Sequence, residues 1–241
     1  MLHALRTSHL TFLIGLIIIG CSVPEEIEVS ISTPEEAAQF ETTQQKIRYG
    51  QDDGDTHPSI VKLIMQVGNS YYLCSGSVIE SRTILTAAHC VDQVSDASAV
   101  RVIYNGETQR ASEVHIHEQY STSAQHVRYF EGDYYRFSGP DIALLRVPNP
   151  LNLPLVFIGA PPTNRGTELT IVGYGNNESL NSGVRRNGVV EFVALSPTYR
   201  ADRSVVDAEQ GSVLVDPGSS NQTVCGGDSG GALLYLSLIH I

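Results

Sequence analysis

From residue 47 onward the sequence is a succession of short β-branched and aromatic runs cut by turn residues, a pattern that leaves few folds open. Runs at 71–79 (YYLCSGSVI), 83–88 (TILTAA), 100–104 (VRVIY), 141–147 (DIALLRV), 168–175 (ELTIVGYG), 189–195 (VVEFVAL) and 212–215 (SVLV) have strand length and strand composition. No long amphipathic helix lies among them, so an all-β sandwich or barrel is expected. Pro-rich stretches at 148–154 and 159–166 divide the series into two halves. With 241 residues, 41% of them apolar, the chain can bury one good-sized core or two smaller ones.

The first 46 residues read differently. Arg6 supplies a positive start, residues 10–20 (LTFLIGLIIIG) an apolar run, and Gly20 precedes Cys21. Eleven residues are too few to span a bilayer, which takes roughly 20. The ending IIGC resembles a bacterial lipobox, which implies signal residues 1–20 and a lipidated Cys21. Ser22 after that Cys favours, by the same resemblance, anchoring to the outer membrane. An ordinary secretory signal with an incidental Cys21 is the alternative. Residues 22–46 hold six Glu and one Lys with Phe40 as the lone aromatic, so 21–46 is expected to be an acidic tether or propeptide. The net charge of −11, with no run of Lys or Arg, excludes a phosphate-backbone partner.

Three motifs carry chemistry in the remainder. LTAAHC contains His89, GPDIALLRV contains Asp141 and GGDSGG contains Ser229. A serine hydroxyl is a poor nucleophile at neutral pH; it needs a base for its proton and a group that orients that base. Singly each motif is weak evidence, since a His beside two alanines is more often packed and an Asp opening a strand is often a cap. Together, in this order, they resemble the chymotrypsin/trypsin family of serine endopeptidases, most specifically through residues 74–91 (CSGSVIESRTILTAAHCV) and 225–231 (CGGDSGG).

That resemblance implies two antiparallel six-stranded β-barrels, at 47–158 and 159–235, the second incomplete, with the active site between them. It implies that Ser229 attacks the scissile carbonyl, His89 moves the proton and Asp141 orients the imidazole. The backbone N–H groups of Gly227 and Ser229 would form the oxyanion hole. Cys74 and Cys90 would pair, worth roughly 3 kcal/mol for a loop of that size. Protein or peptide substrates follow, with neither cofactor nor metal. The alternative is a catalytically silent homologue that uses the fold as a surface binding module.

The segment IRYG at 47–50 resembles the mature start of such proteases, so cleavage after Lys46, by another protease or by autolysis, is expected to free Ile47. Its ammonium would pair with Asp228, and before that cleavage the protein would sit lipid-anchored at the cell envelope. Thr223, where trypsins carry Asp at the base of the specificity pocket, and Val224 beside it point to small or apolar substrate residues rather than Arg or Lys. An aromatic loop between Glu118 and Asp141 either walls the substrate cleft or decorates the surface. DDGD at 52–55 lacks the alternating ligands of a Ca²⁺ loop and reads as solvent-facing acid. His115 and His117 lack metal-ligand spacing. The ending LSLIHI (236–241) matches translation of CTG TCT CTT ATA CAC ATC, a transposon end used to tag sequencing libraries. A truncated reading frame is the expectation there, and it leaves Cys225 without the partner that the family carries further on.

Overall fold

The computed structural model describes residues 47, 49–129, 132–138, 140–160, 162–175, 183–195, 197–199, 205–207, 213–216, 222, 224, 226–235 and 238–240. At 122–129, 132–138, 194–195, 197–199, 205–207, 213–214 and 238–240 the backbone alone is described. Cys21, the acidic tether, Lys46, Thr223 and Cys225 lie outside the described residues.

The regular secondary structure of the described residues is almost entirely strands. In the first half these are β1 (Gln51–Asp52), β2 (Ile60–Val67), β3 (Ser70–Glu80), β4 (Thr83–Thr86), β5 (Val100–Tyr104), β6 (Glu107–Arg110), β7 (Glu113–Ile116), β8 (Ser121–Tyr129), β9 (Gly132–Ser138) and β10 (Ala143–Arg146). The second half adds β11 (Phe157–Ile158), β12 (Glu168–Gly173), β13 (Arg186–Leu195), β14 (Pro197–Tyr199), β15 (Val205–Asp207), β16 (Val213–Asp216), β17 (Ala232–Tyr235) and β18 (Leu238–His240). Single 3₁₀ turns form at Ala88–Cys90 and Ala97–Ala99. Among the described residues no helix is long and apolar enough to cross a membrane.

Seven strands form the first sheet in the order β6-β5-β2-β3-β4-β10-β7. Its two edges are one stretch of chain. β6 pairs with β5; then Ala111 N–H donates to Val100 O and Ser112 N–H to Arg146 O, and β7 continues along β10. The sheet thus closes on itself as a six-stranded barrel, because β6 and β7 are halves of one bent strand. Inside lie Val61, Leu63, Met65, Val78, Ile84, Val100, Val102 and Leu145, each at most 2% exposed. Burying an aliphatic side chain of this size contributes about 1.5–3 kcal/mol.

β2 was absent from the strand series read from the sequence. Its first six residues are all buried, so the period-two alternation that marks a half-exposed strand is missing. The second half of the molecule covers its outer face: Ile60 packs with Val156, Val172, Tyr174, Ala232 and Leu234.

The second sheet runs β1-β13-β12-β17-β18-β11, with β16 also on β13. Its pairs are antiparallel except β11 with β18, which run parallel with Phe157 opposite Leu238. Residues 238–240, expected to be foreign, are thus paired between β17 and β11. Phe157 and Ile158 stay 65% and 68% exposed. The segment expected as an aromatic loop is instead an antiparallel hairpin, β8 with β9, whose register shifts between Ser121 and Gln125.

Candidate active site

Strand register brings His89 and Asp141 together. β4 pairs antiparallel with β10, Thr86 opposite Ala143, so the residues just past one strand end meet those just before the other. His89 lies in the 3₁₀ turn after β4, where Ala87 and Ala88, 6% and 0% exposed, are small enough to lie flat on the core. The Cys74–Cys90 disulfide, with 6.3 Å between Cα atoms, ties that turn to β3 as expected.

Asp141 receives His89 at two points. Its Oδ1 accepts the His89 backbone N–H at 2.8 Å and its Oδ2 lies 2.6 Å from Nδ1. Burial pushes the Asp141 carboxyl up; hydrogen bonds from the His89 ring, the His89 N–H and the Ala88 N–H outweigh it and hold the group below the usual carboxylate range. A carboxylate only accepts, so the bonded Nδ1 carries a proton, and in the neutral ring Nε2 is then the acceptor nitrogen. That is the tautomer a general base needs.

The Ser229 loop packs against the same turn. The Cys90 sulfur lies 3.8 Å from His89 Nε2 and 3.8 Å from the Ser229 carbonyl oxygen, so one disulfide atom touches both. Two glycines permit this approach. Gly227 has φ +90° and Gly230 φ +73°, a region that side-chain-bearing residues rarely adopt. A Cβ on Gly230 would lie 2.5 Å from Ser75 O and 2.8 Å from Ala87 N, so any larger residue would push the loop off the first barrel. Asp228 between them is 8% exposed, and its Oδ1 accepts the Gly175 N–H at 2.7 Å. Cys74, His89 and Cys90 cluster tightly, but both sulfurs are spent in the disulfide and supply no thiolate for a metal.

Ile47 is fully buried in the second half, packed with Leu169, Ile171, Val190 and Phe192. It lines a cavity of about 140 Å³ together with Asp228, Val215 and Val224. Val224, expected at the specificity pocket, is 53% exposed and faces that cavity. His115 Nε2 lies 2.8 Å from Glu113 Oε2 on the surface.

Asp53 corrects the reading of DDGD as solvent-facing acid. Asp52 and Asp55 are exposed, but Asp53 is only 2% exposed. Its Oδ2 takes Arg185 Nε at 2.6 Å and the His57 N–H at 3.0 Å; its Oδ1 takes Asn187 Nδ2 at 2.8 Å and sits 2.5 Å from His57 Nδ1. Arg185 also reaches Gly54 O and Ile60 O. No local pattern announces this cluster, since Arg185 lies 132 residues away in sequence. The adjacent arginines Arg185 and Arg186, the second of which opens β13, are its one trace.

The described geometry has counterparts among known proteins. A family model described as Trypsin matches residues 49–239. Brachyurin from Leptuca pugilator is 29% identical over 173 residues, which are 70% of this chain and 74% of that protein. The cercarial protease of Schistosoma mansoni is 28% identical over 194 residues, 74% of this chain and 71% of that one. Trypsin 5G1 of Aedes aegypti is 30% identical over 182 residues, covering 70% of this chain and 63% of its own length. In three dimensions the crystal structure of a scabies mite inactivated protease paralogue superposes with a TM-score of 0.59 at 16% identity, over 79% of this chain and 84% of that one. A family match spanning nearly every described residue, on a doubled β-barrel, settles the assignment: the chain belongs to the trypsin family and is a serine-type endopeptidase.

Proposed function

We propose that the enzyme cleaves peptide bonds through Ser229, His89 and Asp141. His89 Nε2 takes the Ser229 hydroxyl proton as Oγ attacks the scissile carbonyl, then returns it to the leaving amine; water attacks the acyl-enzyme by the same route. The N–H groups of Gly227 and Ser229 hold the oxyanion as it forms, a role in which losing one donor costs about 10²–10³ in rate. The observation that carries this reading is the two-point grip of Asp141 on His89, which places the ring proton on Nδ1 and makes Nε2 the acceptor nitrogen of the neutral ring.

Activation follows cleavage after Lys46. The freed Ile47 ammonium pairs with Asp228, and the burial of both residues along one cavity supports this. Before cleavage the chain is held at the cell envelope by a lipidated Cys21 and the tether 22–46. Thr223 and Val224 direct specificity toward small or apolar residues.

Replacing Ser229 by Ala tests the reading through hydrolysis of a peptide anilide after cleavage at Lys46. The expected loss of turnover is on the order of 10⁶ with the fold retained. A loss of only tenfold means that another residue is the nucleophile. An inactive parent chain would favour the silent-homologue alternative, a state that the scabies mite paralogue's description gives to that protein.

A further inference from the structure

Asp53 is fastened by the two residues that flank Arg186, the first residue of β13. β1 sets Gln51 opposite Asn187 and Asp52 opposite Arg186, and the ladder runs one step further where the Asp53 N–H donates to Arg185 O at 3.0 Å. The side chains then reach back: Arg185 Nε donates to Asp53 Oδ2 at 2.6 Å and Asn187 Nδ2 to Oδ1 at 2.8 Å. The rest of the Arg185 fork extends the grip. Its Nη2 donates to Gly54 O at 2.5 Å, and its Nη1 to Ile60 O at 3.4 Å and to the Tyr174 hydroxyl at 3.5 Å. The Asp53 side chain has no exposed surface, and Arg185 keeps 10% of its own.

What this clasp holds is the chain directly behind the proposed new N-terminus, since Asp53 lies six residues past Ile47. Between them side chains hold the backbone by single hydrogen bonds: Arg186 Nη1 to Ile47 O at 3.3 Å and Gln222 Nε2 to Tyr49 O at 3.1 Å. Tyr49, Gln51 and Asp52 are exposed, and Tyr49 sits at φ +57°, a conformation that a tyrosine does not adopt unaided. A buried ion pair adds little net stability, because desolvation offsets its attraction; the planar guanidinium fork adds a fixed direction. A tethered chain end meets its site at an effective concentration that falls roughly as the −3/2 power of tether length. Loss of the clasp would move the secure anchor to Ile60, where β2 begins, and lengthen the tether to thirteen residues. That alone lowers the effective concentration about threefold.

We infer that Asp53 and Arg185 are positioning residues for activation: their clasp fixes the chain behind Ile47, so that the ammonium freed by cleavage is delivered to Asp228. The inference deepens the proposed activation and rests on it. Neither residue touches substrate. Both act through the Ile47 terminus, which shares its cavity with Asp228 in the loop that carries Ser229. With the clasp broken, the cleaved terminus spends more time outside that cavity, and the active fraction falls while the domain stays folded.

The test compares Arg185→Met, Arg185→Lys and the double variant Asp53→Asn/Arg185→Met with the parent, each as the full-length chain cleaved after Lys46, on a peptide anilide. Rates are divided by the folded concentration from circular dichroism. For Arg185→Met the expected result is a kcat/KM lower by about 3- to 30-fold, the lower bound being the tether-length effect. The rate of fluorophosphonate labelling should fall by the same factor. Arg185→Lys keeps the charge without the fork and should fall between; it carries the test if the Met variant fails to fold. The double variant should lose no more than Arg185→Met, because the pair acts as one unit. Millimolar Ile-Arg, a dipeptide that copies residues 47 and 48, should restore the variants towards the parental rate by supplying an ammonium to the vacated cavity, whereas acetyl-Ile-Arg should not. A merely destabilising substitution would not respond to that difference. A folded Arg185→Met chain with parental kcat/KM, or a loss that Ile-Arg leaves unchanged or that acetyl-Ile-Arg also repairs, overturns the clasp and leaves activation standing. An uncleaved Lys46→Gln chain as active as the cleaved parent overturns activation by Ile47, and this role with it.

Discussion

Ile47 and Asp228 line the same cavity in the second half of the molecule, the first fully buried and the second 8% exposed. The Ile47 side chain packs on β12 and β13 and its carbonyl accepts the Gly50 N–H, so the backbone at the start of the domain already runs into the second barrel. Arg186 Nη1 also reaches that carbonyl at 3.3 Å.

A carboxylate at position 47 would therefore share a partly open, largely apolar cavity with Asp228. Ile47→Asp is expected to lower kcat/KM by at least about 10²-fold after cleavage at Lys46, because two like charges sharing one cavity drive the Asp228 loop out of place. Hydrolysis of a peptide anilide, with circular dichroism for the fold, reads the outcome. Full activity would remove Ile47 from the activation mechanism.

The Asp53 cluster makes a prediction about acid. Burial raises the Asp53 carboxyl, and bonds from His57, Arg185 and Asn187 outweigh that effect and hold it far below the usual range. A depressed folded pKa contributes stability that is complete above the ordinary aspartate value of about 3.9 and is lost as pH falls through it toward the folded value. Denaturant midpoints measured between pH 7 and pH 3 should fall steeply toward the acid end for the parent. Asp53→Asn should be less stable at pH 7, since it leaves the partly buried Arg185 without its carboxylate, and its midpoint should fall less on acidification. Equal slopes for the two proteins would contradict the assignment.

Reduction of the Cys74–Cys90 bond opens a span of 16 residues that contains the β3–β4 hairpin and the His89 turn. The expected cost is about 3 kcal/mol, through the entropy of the unfolded chain. Urea unfolding with and without reductant measures it, and activity should decline together with the folded fraction. An unchanged midpoint would show that packing alone holds the turn.

How far the sequence discloses this molecule varies with the physical range of each feature. Strands such as β5 alternate buried and half-exposed residues, and that period is written locally. β2 is sealed on both faces by the meeting of the two halves, and a run that includes the buried Lys62 shows no period to read. His89 and Asp141 were identifiable because their neighbourhoods, LTAAHC and GPDIALLRV, are distinctive as strings. Asp53 was not, since it is drawn inward by Arg185 and Asn187, more than 130 residues away. The acidic appearance of DDGD hides one residue turned inward between two turned outward.

The central claim is that Ser229 is the nucleophile activated by the His89–Asp141 pair. Incubating the full-length chain, cleaved after Lys46, with a fluorophosphonate and mapping the adduct by peptide mass spectrometry tests it most directly. A single stoichiometric adduct on Ser229, lost in a His89→Ala variant, is the result predicted. A folded, cleaved protein with no adduct, or with the adduct on another residue, would contradict it.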